Sequence, residues 1–233
     1  GVTGVQTCAL PISAGPAAPL ADAPRAPAGK FSAAAEAALG RTGLWGLAVP
    51  VAYGGAGAGL LDTARTITRL AADCPTAAGM LAVHSTIAAV AAVAAFGTDE
   101  QRARHLPGLA AGAPLSIFGG TEPDVGCDLA AVRAVLVRRD GRLLLTGTKM
   151  FITGAVHGRL AKVLARLDDR PAVVLVRLLA ADGPTFRLRH YDLHPLQHAH
   201  NAALEFTEHE VHRSEEHTSE LQSRQYLVCR LLL

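Results

Sequence analysis

The sequence predicts an α+β protein, in which an all-α N-terminal domain precedes an antiparallel β-barrel domain. Up to about residue 112 the apolar residues recur at helical spacing or lie in loops. After that point seven short β-rich segments follow one another, separated by turn signals such as Asp140-Gly141. These are PLSIFGG, AVRAVLVRR, RLLLTGTKMFIT, RLAKVLARL, PAVVLVRLL, TFRLRHYDL and AALEFTE. Short strands at this spacing are typical of a barrel or sandwich.

The composition bounds the class of protein. The 233 residues are 50% hydrophobic and 18% charged, with a net charge of +2. This balance supports a sizeable core and argues against a nucleic-acid partner, since such domains cluster basic residues. Cys8, Cys74, Cys127 and Cys229 have neither zinc spacing nor the density of a disulfide scaffold. We therefore expect a reducing, cytoplasmic location.

Besides the apolar run 76–96, three helices are predicted in the first half of the chain. FSAAAEAALGRTG forms a short helix, and TDEQRARHLPGLAAG begins with Thr98 as N-cap followed by acidic residues. LLDTARTITRLAADCP is amphipathic, and its predicted buried face consists of Leu61, Ala64, Ile67, Thr68 and Ala71.

Residues 76–96 are long enough and apolar enough to cross a membrane. The run is mostly Ala and includes His84 and several hydroxyl residues, so its tendency to insert is weak. We predict a buried core helix and no membrane partner. His84 is expected to be a hydrogen-bonded core residue.

Two segments carry groups that could bind a ligand. TEPDVGCD exposes Thr121, backbone N–H groups around Gly126, and Cys127, while KMFIT returns Thr153 beside Phe151. Hydroxyls, backbone donors and an aromatic face could hold a flat, polar-edged heteroaromatic ring. Taken alone, the same residues also suit ordinary turns and strands.

Four landmarks in order resemble the acyl-CoA dehydrogenase family. GTDEQR (97–102), TEPDVGCD (121–128) and GTKMFITG (147–154) match successive family motifs. Upstream, GLWGLAVPVAYGGAG resembles the family's Gly- and Pro-rich loop, and downstream AALEFTEHEV resembles a family strand. The resemblance covers about residues 31–211.

The resemblance implies a helical N-terminal domain, a β-barrel middle domain that binds FAD, and a C-terminal four-helix bundle that is missing here. Thr121 would serve the pyrimidine side of the flavin, Thr153 would bond near N5, and Cys127 would also approach the CoA arm of the substrate. The implied cofactor-binding residues are Phe118, Gly120, Thr121, Gly126, Cys127, Phe151, Ile152 and Thr153.

The family reaction is the α,β-dehydrogenation of an acyl-CoA in fatty acid metabolism, with a Glu base from the C-terminal domain and hydride transfer to flavin N5. No Glu of this chain matches that base, so no catalytic residue is assigned and we expect the fragment to be inactive. The implied partners are an acyl-CoA, an electron-transfer flavoprotein and further copies of the full-length chain. A monooxygenase or oxidase of the same fold, or a non-catalytic product of a broken reading frame, is the alternative.

Three positions depart from the family pattern. Cys127 replaces a Ser, and a thiol is a weaker hydrogen-bond donor. Phe151 replaces a Trp that is usual in many members, and Gly154 replaces an Asn. All three positions lie in the segments that the resemblance places beside the cofactor and the substrate, so the changes would affect contacts to those ligands.

Four histidines, His190, His194, His198 and His200, lie in or near one loop. No carboxylate or thiolate completes a familiar metal-binding spacing there, so we predict no metal site.

The predicted organisation has five parts. Residues 1–13 and 213–233 resemble translated sequencing-library adapters, and residues 14–30 form a Pro/Ala/Gly-rich linker or frayed end. Residues 31–112 form the helical domain and residues 113–212 the β-barrel middle domain.

Overall fold

The computed structural model describes residues 30–193, 196, 198–211 and 216–217. The adapter-like interpretation of residues 1–13, most of the predicted linker, and nearly all of 213–233 lie outside the described residues. Cys8, His194 and Cys229 also lie outside them.

The helices occupy the first half of the described chain. Thr98 is the N-cap of the last helix, as predicted, and it forms a capping box: its side chain accepts the Gln101 N–H at 3.2 Å, and the Gln101 side chain accepts the Thr98 N–H at 2.9 Å. The helices are α1 (Ala33–Arg41), α2 (Leu60–Asp73), α3 (Pro75–Ala82), α4 (Ala89–Phe96) and α5 (Asp99–Ala111), with short 3₁₀ helices at Leu44–Gly46, Val51–Tyr53 and Leu129–Ala131.

The predicted buried face of α2 is only partly confirmed. Ile67 and Ala71 pack against the helical core, whereas Leu61 is 62% exposed. The fully buried residues of α2 are Thr63, Thr66 and Leu70. Thr66 can be buried because its hydroxyl donates to the Asp62 carbonyl at 2.8 Å, which satisfies the polar group within the helix.

The apolar run 76–96 is broken into α3, a π-helix (Val83–Ile87) and α4. Within the described chain, Pro75–Phe96 is the one helical run that meets length and hydropathy criteria for a membrane span. Ala77, Leu81, Val90 and Val93 of this run are fully buried in the protein core.

All seven predicted strands are present, and the α+β class and element order are confirmed. The sheet is curled, open and mixed: β1 and β2 pair with β4 in parallel, and the other pairings are antiparallel. It is therefore a half-barrel, where the sequence predicted an antiparallel barrel. The strands are β1 (Ser116–Gly119), β2 (Val135–Arg139), β3 (Arg142–Thr153), β4 (Leu160–Leu167), β5 (Arg170–Arg177), β6 (Phe186–Tyr191), β7 (Asn201–Val211) and β8 (Glu216–His217).

The parallel pairs arise from the path of the chain. A loop and the whole β2–β3 hairpin lie between β1 and β4, so the chain makes a crossover before β4 aligns with β1. The hairpin turns at Asp140 and Gly141, whose φ angles are 50° and 75°. Two positive φ angles are typical of a type I′ turn, which confirms the predicted turn.

The two sides of the sheet pack against different cores. Ile117, Ile152 and Val163 point into the core enclosed by the curled sheet. Leu160 instead packs with Val90 and other helical residues. Side chains alternate along a strand, so the residues next to Ile117, Ile152 and Val163 in sequence lie on the opposite side of the sheet. We call this the helix-facing side.

An ion pair ties the first helix to the sheet domain. Arg159 donates to the carboxylate of Glu36 in α1, and both side chains are largely buried. Trp45 Nε1 donates to the Glu36 carbonyl at 2.9 Å. Helices and sheet are thereby joined through residues far apart in sequence.

Candidate cofactor site

Strand β1 brings the two predicted ligand-binding segments together. It pairs with β4 on one side, and beyond its end the Thr121 carbonyl accepts the Met150 N–H of β3 at 2.9 Å. The segment 118–127 and the segment 151–153 therefore lie next to each other in space.

Phe118 and Gly120 form one part of the site. A Cβ at position 120 would lie 2.7 Å from Cζ of the Phe118 ring. Glycine is therefore required for the ring to lie flat against the backbone. On β4, Lys162 Nζ lies 4.5 Å from the centroid of the same ring.

Thr153 stands at the wall of a cleft. The cleft has a volume of about 280 Å³ and lies between α3, the end of β3 and the loop before β7; its described lining includes Met80, Thr153 and Leu196. The Thr153 hydroxyl donates to Asn201 Oδ1 at 3.1 Å. Its lone pairs remain available to a ligand.

Phe151 has an unusual backbone for an aromatic residue. Its φ angle is 56°, and the β3–β7 pairing shifts register between Lys149 and Ile152. The bulge turns the Phe151 ring outward, where it is 51% exposed and 5.7 Å from the Tyr191 ring. An exposed ring on a strained backbone is a feature that a bound ligand would account for.

Ile152 lies differently from its predicted neighbours. Its side chain is 2% exposed and packs in the core of the curled sheet. Only its backbone could face the ligand. The implied role of Ile152 in cofactor binding is therefore restricted to its backbone.

The end of the loop 121–128, from Gly126 to Asp128, is exposed to solvent. A Cβ at Gly126 would meet no atom within 4 Å, and the Cys127 thiol is exposed. Asp128 caps the following 3₁₀ turn by accepting the Ala130 N–H at 3.1 Å. Gly126 and Cys127 are thus open to a ligand, as predicted for them.

A buried ion pair beneath the site escaped the sequence analysis. Lys149 Nζ lies 2.6 Å from Oε1 of Glu122, and both side chains are almost completely buried. Glu122 also accepts the N–H groups of Arg133 at 2.7 Å and Ala134 at 2.9 Å. Lys149 further donates to the Gly120 carbonyl at 3.4 Å. The pair holds the loop that carries Thr121 against the strand that carries Thr153.

The electrostatics of this pair follow from burial and bonding. Burial raises the pKa of Glu122, but the hydrogen bonds from Lys149, Ala134 and Arg133 outweigh it and lower the pKa overall. Burial lowers the pKa of Lys149 despite its carboxylate partner. Glu122 lies in TEPDVGCD and Lys149 in GTKMFITG. Their membership of these two motifs is the sequence feature from which the ion pair could have been predicted.

His84 is a buried structural residue, as predicted. Its Nδ1 accepts the Ser116 N–H at 2.9 Å, and its Nε2 lies 3.1 Å from the Leu109 carbonyl, which it can only approach as a donor. Burial lowers the pKa of His84 to about 4, so it is neutral at pH 7. It ties the first residue of β1 to α5.

The histidines near the β7 loop do not form a recognisable metal site. No group of three or more His, Cys, Asp or Glu residues among those described is arranged to hold a metal ion. The His190 and His200 rings lie 6.1 Å apart, and His200 Nε2 lies 3.1 Å from the Phe31 carbonyl.

Together these residues fit a flat heteroaromatic ligand such as a flavin. The site offers an exposed aromatic face at Phe151, a hydroxyl with free lone pairs at Thr153, and a flat surface at Gly120. The cleft beside Thr153 gives such a ligand room.

Solved structures with this architecture include CoA-thioester dehydrogenases. Glutaryl-CoA dehydrogenase from Mycobacterium smegmatis superposes with a TM-score of 0.69 at 31% identity, over 78% of this chain and 46% of that one. Acyl-CoA dehydrogenase from Geobacillus kaustophilus superposes with a TM-score of 0.76 over 88% and 54% of the two chains; at 24% identity it shows the fold alone.

Sequence comparison identifies the family. Residues 15–113 match the N-terminal domain of acyl-CoA dehydrogenases, and residues 117–209 match their middle domain. An acyl-CoA dehydrogenase of Bacillus subtilis is 35% identical over 115 residues, which are 49% of this chain and 30% of that protein. The chain belongs to the acyl-CoA dehydrogenase family, whose members are FAD-dependent oxidoreductases. It spans about a third of the length of the curated relatives it matches.

Proposed function

We propose that this chain forms the FAD-binding part of an enzyme that dehydrogenates an acyl-CoA thioester between its α and β carbons. The observation that carries the proposal is that the segments bearing Thr121 and Phe151–Thr153, both at family motif positions, lie next to each other, with a cleft at Thr153. FAD, when bound, accepts the hydride from the substrate.

The residues of this chain bind and orient the ring. Thr121 contacts the pyrimidine side of the flavin, and Thr153 forms a hydrogen bond near the flavin nitrogen that receives hydride. Phe151 covers one face, while Gly120 allows close approach of the backbone. Gly126 and Cys127 also face the flavin, and Cys127 in addition approaches the CoA arm of the substrate.

The base that removes the α-proton comes from elsewhere in the enzyme. Among the described residues Glu122 is the only fully buried carboxylate. It is engaged by Lys149 and two backbone N–H groups, which lower its pKa and weaken it as a base. The 233-residue chain therefore has no turnover by itself.

The proposal extends to partners and location. An electron-transfer flavoprotein reoxidises the flavin, the full-length enzyme is a homo-oligomer, and both work in the cytoplasm. These features follow the family resemblance.

Titration with FAD, followed by quenching of flavin fluorescence, tests the proposal. We expect saturable binding of FAD, and Thr153→Val weakens binding of the reduced, anaerobic form about tenfold, because the Thr153 oxygen then no longer accepts a hydrogen bond from the reduced ring nitrogen. Thr207→Val is the matched control, since Thr207 lies exposed on β7. Equal binding by both variants and the unaltered chain would contradict the assignment of Thr153, and absence of any binding would contradict the proposed function.

A further inference from the structure

We infer that Lys162 places a positive charge beside the bound flavin and stabilises its reduced, anionic form relative to the oxidised form. The inference rests on the proposed function, because it requires FAD on the helix-facing side of the sheet. It assigns a determinant of redox behaviour to a residue outside the sequence motifs.

Lys162 lies on the side of the sheet that carries the predicted flavin contacts. Its neighbours Ala161 and Val163 point into the sheet core, so Lys162 points to the helix-facing side. It pairs in register with Phe118 of β1, and its Nζ lies 4.5 Å from the centroid of the Phe118 ring. Phe118 in turn lies against Gly120.

The charge of Lys162 is not neutralised within the described chain. Three lysine or arginine side chains are buried there, namely Lys149, Arg159 and Lys162. Lys149 pairs with Glu122 and Arg159 with Glu36. The structure of the described residues records no carboxylate partner for Lys162, whose recorded contact is the cation–π contact with Phe118.

The neighbouring strands and helices carry no carboxylate. The sequences of β1 (SIFG), α3 (PTAAGMLA) and α4 (AVAAVAAF) contain no titratable residue, and Lys149 of β3 is already paired with Glu122 from the loop after β1. On β5, Lys162 pairs with Leu175, and the arginines of that strand stand at its two ends. His84, in the π-helix between α3 and α4, is neutral at pH 7.

Burying a cation without a partner is unfavourable unless a group of negative charge binds beside it. Burial lowers the pKa of Lys162 to about 8, so the ammonium form still predominates at pH 7. Two-electron reduction adds negative charge to the flavin ring. In a partly desolvated site a nearby positive charge stabilises that charge by Coulomb attraction. A cation that serves only to pack against Phe118 would not distinguish the two redox forms.

The test compares the affinities of the chain for oxidised and reduced FAD, measured anaerobically at pH 7. The ratio of the two dissociation constants reports how far binding favours the reduced form. Lys162→Met removes the charge while keeping a long apolar stem, and Arg170→Met is the control that removes an exposed charge. We expect Lys162→Met to weaken binding of reduced FAD about tenfold more than binding of oxidised FAD, and Arg170→Met to leave the ratio unchanged.

The outcomes separate this inference from the proposed function. FAD binding with the same ratio in Lys162→Met overturns the role of Lys162 and leaves the proposed function intact. No FAD binding by the unaltered chain overturns both. If the Met variant does not fold, the unaltered chain still gives an answer: its preference for reduced FAD should fall between pH 7 and pH 9.5, as the ammonium group deprotonates. A preference that is independent of pH over that range overturns the inference.

Discussion

Asn201 fixes the direction in which the Thr153 hydroxyl points. Asn201 Nδ2 donates to the carbonyls of Leu196 at 3.0 Å and Ala199 at 3.4 Å, so its Oδ1 must receive the Thr153 hydroxyl at 3.1 Å. Thr153 is thereby held as an acceptor towards the cleft. An acceptor there matches a ligand that presents an N–H group, as the hydride-receiving ring nitrogen of a flavin does only in the reduced form.

We predict that Asn201→Ala destabilises the protein by about 2 kcal/mol, because two carbonyls and one hydroxyl lose a buried partner. Thermal or urea unfolding measures the change. Asn201→Asp serves as the comparison, since it keeps the acceptor for Thr153 and loses both amide donors. If Asn201→Ala unfolds with the same free energy as the unaltered chain, these hydrogen bonds have no net effect on stability.

Breaking the Glu122–Lys149 pair from one side should be severe. Lys149→Met leaves a buried carboxylate without its ammonium partner, and we expect a loss of about 3–5 kcal/mol in the free energy of unfolding. The double variant Glu122→Leu with Lys149→Met should lose less than the sum of the single changes. Strictly additive losses in the double-mutant cycle would show that the two groups do not interact.

Acidification should destabilise the fold through His84. Its pKa is about 4 in the folded chain, against an ordinary value of 6.5, so between these values the unfolded chain binds more protons. Stability is fully present above pH 6.5 and is lost as the pH falls towards 4, by about 3 kcal/mol in all. Protonation is opposed because Nδ1 would then direct an N–H at the Ser116 N–H.

The pH dependence of the unfolding free energy checks this prediction. His84→Gln lowers stability at pH 7 but should flatten the slope between pH 6.5 and 4. An unchanged slope would assign the acid sensitivity to other groups, such as His209, whose pKa burial also lowers.

Gly120→Ala should weaken FAD binding. The added Cβ would lie 2.7 Å from the Phe118 ring and displace it from the helix-facing side of the sheet. Gly126→Ala is a matched control, because its Cβ would meet nothing within 4 Å. We expect at least a fivefold rise in the dissociation constant for Gly120→Ala relative to the control. Equal values would mean that the position of Phe118 does not matter to the ligand.

The sequence predicted the elements well where local chemistry decides them. The capping box at Thr98 and the turn at Asp140 depend on residues within a few positions of each other. The buried face of α2 was right at Ile67 and Ala71 and wrong at Leu61, because helical periodicity ranks Leu61 above Thr66. It cannot register that the Thr66 hydroxyl is satisfied by Asp62 within its own helix.

The candidate site residues were predicted from the family motifs, and residues that lie outside those motifs were missed. Asn201 and Lys162 reach the site only through pairings of strands that lie far apart in sequence. Ile152 was assigned to the ligand together with its neighbours, and the β-bulge before it decided its actual direction. A linear pattern does not specify which side of a bulged strand each residue faces.

The position of β1 between β3 and β4 has a consequence for the order of folding. The strand has four residues, and its partners on β4 follow it by 44 positions in register, from Ser116 with Leu160 to Gly119 with Val163. Closing so long a loop carries an entropic penalty and slows the pairing. The β2–β3 hairpin can form early, whereas docking of β1 and of the still more distant β7 comes later. Protection of the Ile117 and Phe118 amides from hydrogen exchange should therefore appear after that of the hairpin during refolding, and the cofactor surface would not exist before that step.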